Sequence, residues 1–356
     1  MSGIIDQFGL KIPKVLVPKS NGKKLVPRPD SEDVIIQQTM LTNPYDWFGF
    51  PNAAINPENG DIAVVHNEAQ GHGQPALGNR LVFSRDGGQT WEQSKSMSTP
   101  GHGKLGHLWR GNRMLFYHYN TETYAQELRY SDDEGDTFSD WQTTFELYTA
   151  PGQLFGPGDP IRYKDWYLKP LYGRPTDSGP RHILIIGNNG NGEGAYELYS
   201  VPVRLSDAGN YDNPEEPGIV VHPSGVMLCY FRTGEWDDSE GVWVTRSLDG
   251  GKHWDKPRFA FPSWGRAGVG VSENGTICLL GRAMEFAGRT IYAWSNDVGE
   301  THHWDNFDDR EDNMQAYGVP IWDKFRKRFI AVYGSDTNFP NGPAFTLCKF
   351  IDEVDE

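Results

Sequence analysis

The stretch FSRDGGQTWEQ, Phe83 to Gln93, decides how the rest of the chain is read. Within it, Ser84 to Trp91 follow the pattern S-x-D-x-G-x-T-W. An octet of this kind makes a tight turn. Its Asp accepts backbone N–H groups, its Gly supplies a positive φ, and its Trp packs sideways against a neighbour.

The pattern returns as SDDEGDTF (Ser131 to Phe138) and SLDGGKHW (Ser247 to Trp254). A looser copy, SNDVGETHHW (Ser295 to Trp304), has His302 at the aromatic position. Each copy follows a strand-like run: RLVF, LRY, VWVTR and IYAW. The four serines stand 47, 116 and 48 residues apart, so the middle gap holds two periods. A decayed copy fits that gap at ILIIGNNGNGEGAYELYSV (Ile183 to Val201), where Asn and Gly replace the signature.

Three good copies and a fourth in register resemble the Asp-box, or BNR, repeats of the sialidase superfamily. That resemblance implies a β-propeller of four-stranded blades, each box lying between a blade's third and fourth strands. The chain is therefore read as all-β: a six-bladed, sialidase-like β-propeller with an extended N-terminal arm. Six units can be laid out, roughly 46–98, 99–150, 151–208, 209–261, 262–309 and 310–352. A seventh would require the long 151–208 segment to be misread. Residues 1–30 form the basic arm and 31–356 the propeller, with DVIIQQTML (Asp33 to Leu41) as the outer strand closing the last blade.

Composition agrees with many short strands: 12 Trp, 16 Tyr and 18 Phe stand beside 41 Gly and 24 Pro. No apolar run reaches the length that spans a bilayer, so no membrane insertion is expected. The N-terminus lacks the apolar core of a signal peptide, which implies cytoplasmic synthesis. Cys229, Cys278 and Cys348 sit in apolar runs and read as buried, reduced thiols.

The net charge is −15, while residues 1–29 alone carry Lys11, Lys14, Lys19, Lys23, Lys24 and Arg28 against Asp6. So acidic a body argues against nucleic acid as a partner. The basic segment reads as an arm held against a protein partner or a second copy of the chain.

Site residues follow from topology. In a four-stranded meander, loops 1–2 and 3–4 share one face, and loops 2–3 and 4–1 share the other. The octets are 3–4 loops, so a site at the channel mouth belongs on the opposite face. The ends of the second strands there give His66, His118, Tyr172, Arg174, Arg232, Glu235, Arg282 and Glu285, and the 4–1 loops add Arg266 and Tyr317. His66, Arg232, Glu235, Arg266, Arg282 and Glu285 are candidate ligand contacts. His118, Tyr172, Arg174 and Tyr317 are candidate catalytic groups. Arginines with tyrosines and carboxylates suit an acidic glycan. No motif calls for a cofactor or a metal.

Sialidases clamp the substrate carboxylate with three Arg and use a Tyr–Glu nucleophilic pair with an Asp acid/base. The first of those Arg lies in an Arg-Ile-Pro motif; here WFGFPNAA (Trp47 to Ala54) reads Gly49-Phe50-Pro51 instead. Arg232, Arg266 or Arg282 can stand for the later clamp residues, and Tyr317 for the nucleophile. Two functions stay open. One is a structural or receptor-binding component of a larger assembly. MSGIIDQFGLKIP resembles the N-termini of tailed-phage structural proteins, which implies a virion location. The other is a glycan-active enzyme, either a sialidase-like hydrolase or a uronate lyase using His118, Tyr172 and Arg174.

Overall fold

The structure, a computed structural model, describes residues 20–28, 34–38, 47–69, 76–97, 105–120, 123, 125–146, 154–156, 158–173, 181–204, 213–233, 241–263, 265–282, 290–307, 317–336 and 344–356. Every regular element among them is a strand.

Strands β1 (Lys23–Pro27) and β2 (Val34–Gln38) come first in the chain. The first blade is β3 (Trp47–Ile55), β4 (Ile62–Ala69), β5 (Ala76–Ser84) and β6 (Lys95–Ser96). The second is β7 (Gly106–Arg110), β8 (Arg113–Asn120), β9 (Ala125–Ser131) and β10 (Gln142–Phe145). In the third, β11 (Leu154–Phe155) and β12 (Ile161–Tyr163) both pair with β13 (Trp166–Gly173), followed by β14 (His182–Asn189) and β15 (Glu197–Val203). The fourth is β16 (Glu215–Val221), β17 (Met227–Thr233), β18 (Gly241–Ser247) and β19 (Arg258–Phe261). The fifth is β20 (Gly268–Val271), β21 (Ile277–Arg282), β22 (Thr290–Ser295) and β23 (His303–Asn306).

The sixth blade runs β24 (Gly318–Asp323), β25 (Arg328–Asp336) and β26 (Ala344–Asp355), and the N-terminus supplies its outer strand. β26 is 12 residues long and takes two partners end to end. β2 pairs along Phe345 to Cys348, and β1 along Ile351 to Asp355. Residues 23–27, part of the segment read as an arm, are thus a strand of the propeller.

The blades hold together through six apolar clusters, one at each blade boundary. Strand alternation sends successive side chains to opposite faces of a sheet. Leu228 and Tyr230 of β17 accordingly pack on the fifth blade, and Met227, Cys229 and Phe231 on the third. The same split recurs around the ring and closes where Ile330, Val332 and Phe350 of the sixth blade meet Ile62, Val64 and Val82 of the first. Burying a side chain of this size is worth about 1.5–3 kcal/mol. Cys229, Cys278 and Cys348 are buried in three of these boundaries.

Each octet lies between third and fourth strands and is wired the same way. Ser84, Ser131, Ser247 and Ser295 each donate to their own Asp Oδ1 at 2.8–2.9 Å. Each serine also accepts the N–H of the Gly four residues on, at 2.7–2.8 Å. Those glycines lie at φ between 73° and 94°, where a Cβ is strained. The aromatic then packs toward the preceding blade, as Trp254 does through its Nε1–H to Ser200 Oγ (2.7 Å).

The decayed third-blade copy keeps this wiring. Asn188 Oδ1 accepts the N–H of Gly192 (3.0 Å), and Tyr196 reaches the second blade through Tyr117 (2.9 Å).

Candidate functional site

On the face opposite the octets, five blades bring one cluster together. Glu215 and Glu216 open β16, where the register with β17 shifts between Glu215 and Gly218. Glu216 lies at φ 48°. Both residues are buried, at 8% and 4% exposure. Arg232 closes β17 and spans the pair, with Nη2 on Glu215 at 2.5 Å and Nε on Glu216 at 2.8 Å. Arg181, just before β14, is also ion-paired with Glu215.

Tyr317, just before β24, directs its hydroxyl at both Glu216 oxygens, at 3.4 and 3.5 Å. That is longer than a formed O–H···O bond and close enough for a small movement to make one. Phe50, in β3, meets the Tyr317 ring edge-on with centroids 4.8 Å apart.

Burial pushes the Tyr317 hydroxyl well above its ordinary pKa, and the Glu216 charge adds to this, while Arg232 and Arg282 pull back. Tyr172 is raised in the same way, first by burial and then by Glu216. Burial opposes the Arg232 charge, and Glu216 and Tyr317 more than restore it. The phenol is therefore protonated at neutral pH, with a carboxylate beside it that can accept its proton. Such a pair is the arrangement of an activated nucleophile and its base.

A second polar group is drawn from three alternate blades. Asp159 of the third blade is ion-paired with Arg266 of the fifth and hydrogen-bonded by Asn52 Nδ2 of the first. Beside it, Lys169 on β13 is 1% exposed, and its Nζ donates to Gln126 Oε1 at 3.0 Å. Burial drives the Lys169 pKa down to about 7, with Asp159 opposing.

The structure thus gathers Tyr172, Arg232 and Tyr317 around Glu216, with Arg282 near Tyr317, and sets the other described candidates apart. Arg266 turns to Asp159. His66 is fully buried, and burial, helped by Arg80, holds its pKa down at about 3. His118 is buried in the second blade, 3.8 Å from Glu127 and against Trp141. Arg174, Glu235 and Glu285 lie outside the described residues.

Reading only second-strand ends and a few 4–1 loop residues missed Glu215, Glu216 and Arg181. The first two sit in NPEEPG, which reads as a plain turn, although it is the 4–1 loop that the topology argument points to. Among the described residues, no group of three or more His, Cys, Asp or Glu is arranged to hold a metal.

By sequence, the chain matches no protein-family model and no curated protein. By structure it resembles a protein of unknown function from Dyadobacter fermentans, with a TM-score of 0.75 and 15% identity over 94% of this chain and 100% of that one. An intramolecular trans-sialidase from Ruminococcus gnavus gives 0.64 and 12% over 90% and 97%. The sialidase of Trypanosoma rangeli gives 0.62 and 11% over 93% of this chain, which spans only 60% of that protein. Identities this low speak to architecture alone. In fold, the chain is a sialidase-like six-bladed β-propeller.

Proposed function

We propose that the chain recognises a glycan on the face opposite the octets, with a sugar ring seated over Tyr317, Glu216 and Arg232. One observation carries this reading: a tyrosine hydroxyl directed at a buried glutamate that an arginine braces. Aromatic walls with a few convergent polar groups are what a sugar site requires.

The same pair favours a second reading, cleavage of a glycosidic bond. Tyr317 Oη would attack the anomeric carbon while Glu216 takes the phenolic proton. The leaving group would depart with the bonding electrons, and water would then release the sugar from tyrosine. The assembly reading, a virion component docked by residues 1–30, draws on the N-terminal resemblance, the basic arm and the absent Arg-Ile-Pro motif. The described part of that segment, Ser20 to Arg28, is engaged with β26 and its neighbours.

Glycan-array binding followed by calorimetry tests recognition, and release from 4-nitrophenyl glycosides, whose leaving group departs without protonation, tests cleavage. Tyr317→Phe and Glu216→Gln should each weaken binding or abolish turnover. If both variants keep their ligand and any turnover at the parent's level, the site lies elsewhere.

A further inference from the structure

We propose that Phe50 makes this site select a neutral sugar ring over one bearing a ring carboxylate. The inference rests on the glycan reading above and adds the class of sugar to it.

Phe50 lies at φ 51°, in the left-handed region that bulky residues rarely adopt. It does so inside β3, where the register with β4 breaks between Gly49 and Asn52. The bulge carries its ring to the site, packed on Ala69 and edge-on to Tyr317. A strained backbone that delivers one side chain to a functional centre is held there by its surroundings, and the side chain is then part of what the site does. Here the first blade contributes an apolar ring beside Tyr317.

The cations nearby are largely committed. Arginine recognises a carboxylate best with two parallel N–H donors. Arg232 already spends Nη2 on Glu215 and Nε on Glu216, and Arg181 is paired with Glu215. Arg266 is held by Asp159. Among the described residues, the guanidinium groups of Arg181 and Arg232 are bound to the two carboxylates of this cluster, and Arg282 lies near Tyr317. A ligand carboxylate over Tyr317 would face the Phe50 ring and lie near the Glu216 carboxylate. It would lose its hydration without gaining a fork. The C–H face of a neutral pyranose instead meets Phe50 and Tyr317 as an apolar surface, with its hydroxyls toward Glu216 and Arg232.

The test is calorimetry with matched 4-nitrophenyl pairs, galactoside against galacturonide and glucoside against glucuronide, together with the N-acetylneuraminoside. The parent should bind a neutral member about tenfold or more tighter than its uronide partner, and tighter than the neuraminoside. Phe50→Arg should narrow or reverse that ratio by about tenfold. Phe50→Gly suits the positive φ and so should fold well; it should weaken neutral-sugar binding by about tenfold. A parent that prefers the anionic partner, or a ratio unchanged in Phe50→Arg, overturns the proposal and leaves glycan recognition standing. Binding to no sugar of either class would sink both.

Discussion

Ser84 carries more of its turn than Asp86 does, although the Asp looks like the reactive residue. Ser84 is fully buried, and its Oγ is the partner of the buried Gly88 N–H. Removing it strands that donor, which costs about 1–3 kcal/mol. Burial works against the Asp86 charge, but hydrogen bonds from Thr90, Ser84 and Gln89 outweigh it and lower its pKa. Two of those donors, the N–H groups of Gln89 and Thr90, are exposed and can turn to water if the carboxylate goes. Ser84→Ala should therefore lose about 1–3 kcal/mol in urea unfolding, and Asp86→Ala about 1 kcal/mol or less, with glycan binding intact in both. A larger loss in Asp86→Ala would reverse that ranking. At this scale the sequence was informative even where it looked degraded. Asn188 does the work of the serine, because an amide oxygen reaches the Gly192 N–H as a hydroxyl would.

Among the elements, β1 shows what a sequence hides. Its five residues, KKLVP, bury only Leu25, so no alternation marks a strand. Its partners lie more than three hundred residues away: Lys23 meets Asp355 at 2.5 Å, and Arg28, just after the strand, meets Asp352 at 2.7 Å. The run at Asp33 to Leu41 was legible because its apolar residues are adjacent, and β2 lies within it. Both strands cover an edge that would otherwise be open for aggregation. Leu25→Ala should cost about 2–4 kcal/mol by thermal or urea melting. Removal of residues 1–28 should lower the melting temperature and promote association. A truncated chain that melts with the parent and stays monodisperse would show that β1 contributes nothing.

For the molecule as a whole, six blade boundaries set stability. The blades were readable from the octet spacing. The site was half readable, because Arg232, Arg282, Tyr172 and Tyr317 end or precede predicted strands, whereas Glu216 sits in a run that reads as a plain turn and Arg181 comes in from the neighbouring third blade.

The buried Lys169 gives the fold a pH dependence of definite sign. Its folded pKa is about 7, against 10.5 in the open chain. Below pH 7 both states hold the proton; above it the unfolded state alone does, until about pH 10. Stability should rise with pH across that window, by roughly 1 kcal/mol per unit, relative to Lys169→Met. Parallel urea-unfolding profiles for the two proteins would refute it.

The central claim is that ligand binds on the face opposite the octets, over Tyr317, Glu216 and Arg232. Hydrogen–deuterium exchange with a bound oligosaccharide measures this directly. Protection should appear in the segments holding Phe50, Glu215 and Glu216, Arg232 and Tyr317. Exchange should be unchanged in the turns 84–91, 131–138, 247–254 and 295–302. Protection of those turns, with none around Tyr317 and Glu216, would contradict the account.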